Sequence, residues 1–87
     1  MSKEKLTEIL NNLRQELENT DLKDVDIRNK LHSLVEDLDS QLKNNDNPDI
    51  DDFTENISYM IEQFEIEHPG ITELLNKLSI GLSNMGI

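Results

Sequence analysis

The chain has 87 residues, a formal net charge of −11, about a third apolar residues (34%), and no cysteine, tryptophan or alanine. That length allows one domain with a small core, and the lack of cysteine excludes disulfides, thiolate chemistry and cysteine-held zinc. The acid excess argues against nucleic acid, whose phosphates need clustered Lys and Arg, and against anionic membrane surfaces.

The first predicted helix carries Leu6, Ile9, Leu10, Leu13 and Leu17 on one face, with Ser2 placed to cap its first turn. Residues 2–5 are polar and charged where a signal peptide needs an apolar run, and no apolar stretch reaches membrane-spanning length, so a cytoplasmic location is expected. Thr20 and Asp24 fall where this stripe should continue, and Asn19-Thr20-Asp21 is cap and turn chemistry. A helix break is therefore expected near 19–24. The stripe resumes with Ile27, Leu31, Leu34, Val35, Leu38 and Leu42, completing a first arm over residues 1–43.

Residues 44–49, rich in amides and acids and containing Pro48, read as a loop, with Asp49 placed to cap the helix that follows. The second arm, residues 50–86, carries apolar residues at six positions spaced seven apart: Ile50, Ile57, Phe64, Ile71, Leu78 and Met85. Chance would produce such a series in roughly one sequence in a hundred, even allowing for every register, so it reads as a buried helical seam. Gly86 is placed to end the helix. The seam passes through His68-Pro69-Gly70 without losing phase. Because two helices joined by a free turn have no reason to share a phase, a single helix kinked at 68–70 is the preferred reading.

Folding about the 44–49 loop sets the two arms antiparallel, with the weak points at 19–24 and 68–70 at one level. Met60, Ile61, Leu74, Leu75 and Leu82 widen the second stripe, as Ile9, Leu10 and Val35 widen the first, beyond what a two-stranded coil needs. The expected fold is therefore all-α. It is a single domain built as an antiparallel helical hairpin with bent or broken arms (three to four helices) and coiled-coil-like packing, completed into a four-helix bundle by homodimerisation. The rival is a single-chain four-helix bundle, folded back at the weak level.

Few residues offer chemistry. His32 reads as a surface or seam-edge histidine. Glu65 and His68 have the Glu-x-x-His spacing that recurs in carboxylate-bridged di-metal bundles, but such a site needs further carboxylates from other helices. The acids of 46–52 give no register with the glycine and glutamate that a calcium loop requires. Gly70, Gly81 and Gly86 form no phosphate-binding loop, and no serine has a discernible His and acid arrangement. Gly81 on the seam permits either a close helix approach or a fraying end. No catalytic, cofactor-binding or metal residue is assigned, and no cofactor is expected.

The run Phe64-Glu65-Ile66-Glu67-His68-Pro69, the ending Asn84-Met85-Gly86-Ile87 and the opening Lys5-Leu6-Thr7-Glu8-Ile9-Leu10 through Glu16-Leu17-Glu18 resemble the short bacterial proteins grouped as domain of unknown function 4404. The resemblance covers nearly the whole chain and implies a small helical cytoplasmic protein with no assigned activity. The functional expectation is a non-enzymatic oligomerisation or protein-interaction module. The alternatives are an acidic inhibitor or nucleic-acid mimic that binds a basic protein and, more remotely, a metal-binding bundle using Glu65 and His68.

Overall fold

The computed structural model describes residues 3–44 and 50–85, with Met85 described by its backbone alone. Four helices account for most of these residues: α1 (Lys3–Asn19), α2 (Val25–Asn44), α3 (Ile50–Phe64) and α4 (Pro69–Met85). At about 1.5 Å per residue the longest described helix, α2, spans about 30 Å, and the described residues measure 35 × 19 × 19 Å. The helices therefore lie side by side. Among the described residues α1 packs on α2 and α4, and α3 packs on α2 and α4, while the diagonal pairs make no backbone approach. The result is a closed ring of four antiparallel neighbours, a bundle formed within one chain.

Both weak points are thus complete returns. The kinked-helix reading of 68–70 is corrected: a straight α3–α4 helix would be about 54 Å long, far beyond the 35 Å available. The arms are broken, and the chain doubles back at each break. The reason is local at both sites. Asp24 caps α2, its Oδ1 accepting from the Ile27 amide at 3.2 Å and its carbonyl accepting from the Arg28 amide at 3.1 Å. Leu22, within the same five-residue connection, is buried and closes that end of the core.

At the second break Pro69 is the first residue of α4, a position that needs no amide hydrogen and suits its fixed φ. The preceding residue, His68, is disfavoured in helical conformation by the proline ring. The His68 amide donates to the Phe64 carbonyl at 2.8 Å, ending α3, and the His68 carbonyl accepts from the Thr72 amide at 3.1 Å, starting α4. The His68 ring also meets Phe64 edge-on, with centroids 5.8 Å apart. Gly70 contributes no break. Its φ is not positive, and it lies in the first turn of α4.

The heptad phase survives the break because Phe64 and Ile71, the buried residues on either side of it, are seven residues apart. Phe64 ends α3 and Ile71 opens the core face of α4, so Ile57 and Leu78 stand seven residues away along two antiparallel helices. These four are buried and Ile50 is half-buried. The stripes expected on α1 and α2 are buried as well, with Ile27 half-buried, and Phe53 and Leu22 join the same core. Gly81 is buried within α4. The breadth of the stripes is thus accounted for by two helix neighbours in the same chain, and it no longer calls for a second copy. Of the expected 44–49 loop, Asn44 instead ends α2; residues 45–49, Asp49 as a cap, Ser2 as a cap and the Gly86 helix end lie outside the described residues.

Candidate functional site

The one buried charge among the described core residues is Asp39 on α2, whose side chain is 10% exposed. It sits beside Leu38 on the edge of the apolar stripe. Arg14, on the corresponding edge of α1, reaches it with Nη2 at 2.9 Å from Oδ2. The same guanidinium donates from Nε to Glu36 Oε1 at 3.0 Å and from Nη1 to Asn11 Oδ1 at 2.9 Å. Lys43 Nζ stands 3.2 Å from Asp39 Oδ2, one helical turn on.

The hydrogen bond from Arg14 holds the Asp39 carboxyl below its ordinary range, against the opposing effect of burial, with Lys43 adding to the lowering. The bond to Asp39 likewise raises Arg14, which stays charged. Asp39 Oδ1 is buried with no hydrogen-bond partner among the described residues. The cluster therefore ties α1 to α2. A carboxylate held ionised by a guanidinium is poorly suited to accept a proton, so this geometry points to structure rather than acid–base catalysis.

The residues singled out in the sequence stand elsewhere. His32 is exposed on α2. Glu65 and His68 both fall in the α3–α4 connection, with Glu65 exposed and His68 half-buried against Phe64. α3 ends at Phe64 and α4 begins at Pro69, so neither residue lies within a helix. Among the described residues no three His, Asp or Glu side chains gather as a metal would need.

Two of the open grooves in the described surface exceed about 500 Å³. One, of about 520 Å³, follows the α2–α3 seam, where the two helix backbones approach less closely than at the other three interfaces. Lys30 leans over its wall, with Nζ 5.7 Å from the centre of the half-open Tyr59 ring. The other, of about 670 Å³, lies at the end of the bundle between the 20–24 and 65–68 connections. Its lining includes apolar Leu22, Ile27, Phe64 and Ile66, the acids Asp21, Asp24 and Glu67, and one cation, Lys23. Ile66 is 87% exposed, at the tip of a turn where polar residues are usual.

The family described as domain of unknown function (DUF4404) has a sequence profile that matches residues 6–87, nearly the whole chain. The chain belongs to the DUF4404 family. No curated protein and no solved structure shows a significant match. For DUF4404 the bundle described above supplies an all-α architecture, and none of its described helices is long and apolar enough to cross a membrane.

Sequence reasoning missed both the Arg14–Asp39 pair and the end groove. The pair had a faint signal: Arg14 follows Leu10 by four residues and Asp39 follows Val35 by four, so each is an ionisable residue on the rim of an apolar stripe. Their opposite signs become meaningful only when α1 and α2 are known to be neighbours. The end groove had none, because it joins two turns more than forty residues apart in sequence.

Proposed function

We propose that this DUF4404 protein is a non-enzymatic protein-interaction module of the cytoplasm. The observation that carries the reading is Ile66, a large apolar side chain held almost wholly in solvent beside a groove floored by core residues. It adds nothing to the packing of the bundle, and apolar surface that folding leaves uncovered at a concave site is what a partner buries. A core that needs no disulfide suits a reducing compartment.

The test is chemical cross-linking of the tagged chain in its native host, followed by mass spectrometry. The expected result is one protein recovered reproducibly at near-stoichiometric yield. Recovery of the chain alone, under cross-linking conditions that capture known complexes in the same cells, overturns the reading.

A second reading, an acidic inhibitor or nucleic-acid mimic acting on a basic protein, is favoured by one feature. Between Lys43 and Lys77 the sequence has nine Asp and Glu residues and no Lys or Arg. Binding by charge alone would weaken steeply with salt and would not need Ile66.

A further inference from the structure

We infer that the groove between the 20–24 and 65–68 connections docks a cationic peptide segment that presents a bulky apolar side chain. The inference rests on the interaction-module reading and specifies its site and the chemistry of its partner. Leu22 and Phe64 form a floor that is already part of the core, so it is rigid. Half-buried Ile27 and exposed Ile66 form apolar walls. A volume of about 670 Å³ lies within the ~300–1,000 Å³ usual for binding sites.

Charge decides the occupant. Residues 18–28 and 62–68, which build this end, contain seven carboxylates against only Lys23 and Arg28. All seven carboxylates are exposed. None of them forms an ion pair among the described residues, as the ion pairs of the bundle use other acids. Asp21, Asp24 and Glu67 line the groove against the single Lys23, so a segment entering it meets a net negative rim, which favours Lys and Arg flanking the apolar anchor. A second copy of this chain would bring the same negative rim against itself, and like charges across an interface oppose that pairing.

The test uses the full-length ¹⁵N-labelled protein and three synthetic peptides of equal length and helical pattern: Leu with Lys, Ser with Lys, and Leu with Glu. The Leu/Lys peptide is expected to shift the backbone amides of 21–27 and 63–68, and to weaken severalfold from about 50 to about 500 mM salt. Ile66→Ser, at a position outside the core, is expected to weaken that peptide about tenfold. Ile80→Ser, at an exposed apolar position on α4, serves as the control and is expected to leave it unchanged.

Equal binding of the Ser/Lys peptide, or insensitivity to Ile66→Ser, overturns the groove in favour of a purely electrostatic acidic surface. Equal binding of the Leu/Glu peptide overturns the charge argument. Shifts confined to the α2–α3 groove, or self-association through 21–27 and 63–68, move or replace the site and overturn the inference. No binding by any peptide overturns it too. The broader module reading is judged separately by the cross-linking result.

Discussion

Arg14 Nη2 lies 2.9 Å from Asp39 Oδ2, joining α1 to α2 across a separation of 25 residues in sequence, and Asp39 is the buried partner of the two. A buried carboxylate without its guanidinium keeps the desolvation penalty and loses most of the compensation. Arg14→Met is therefore expected to lower stability by about 1–3 kcal/mol, read as a lower urea midpoint. Arg14→Met combined with Asp39→Leu should recover most of that loss, because an apolar pair of similar volume carries no desolvation penalty. If the double variant is no better than the single one, the pair contributes something other than charge compensation.

The same contact sets a pH dependence. The Asp39 carboxyl is held below its ordinary range in the folded state, chiefly by the Arg14 hydrogen bond. As pH falls, the unfolded chain takes up this proton first, so the contribution is fully present above the unfolded value and is lost as pH falls through the folded one. Asp39→Asn lacks the contribution at every pH. The stability difference between wild type and Asp39→Asn should thus be largest near about pH 7 and shrink by about pH 3. Urea titrations of both proteins at the two pH values would show it. A difference that does not change with pH would mean that Asp39 titrates alike in the folded and unfolded chain.

Pro69 begins α4 and does not interrupt a continuous helix. Pro69→Ala should therefore not straighten the α3–α4 connection. Its expected effect is a loss of about 0.5–1 kcal/mol through a freer unfolded chain, seen as a small fall in melting temperature with helix content unchanged by circular dichroism. A marked gain in stability or in molecular length would show that the return depends on proline alone.

Asp24 terminates the other return by accepting the Ile27 amide at 3.2 Å. Asp24→Ala should cost about 1 kcal/mol. Asp24→Ser, which keeps a capping oxygen, should cost a few tenths of that. Equal losses in both variants would assign the effect to charge and not to the cap.

Leu78 is fully buried in a core assembled from four helices of one chain. Leu78→Ala should cost about 2–5 kcal/mol, and Leu78→Asp should unfold the protein. Unfolding of the wild type should be unimolecular, with a midpoint unchanged from about 5 to about 200 µM protein. A midpoint that rises with concentration would show that a second copy contributes to the fold.

Much of the core was legible because helical periodicity is a local property. Leu10, Leu13, Leu31, Leu38, Ile57 and Leu75 announce their burial through spacing alone, and the structure buries each of them. The breaks were legible as positions, at Asp24 and at Pro69, but not as angles. The shared phase of Phe64 and Ile71 argued for continuity, yet it also fits two antiparallel helices whose flanking core residues are seven apart. Spacing along a chain cannot separate those cases, since a stripe records which side faces apolar neighbours and not where those neighbours come from.

By itself the sequence determined an all-α chain, its buried faces, its two weak levels and its acidic surface, because each follows from residue type and local period. Only the tertiary structure decided that the chain folds back at both levels, because doubling back lets each broad stripe meet two neighbours inside one molecule. That choice then placed Arg14 against Asp39, and drew Leu22, Phe64 and Ile66 together at one acidic end. Those relationships join residues remote in sequence, and they exist only once the helices have been set side by side.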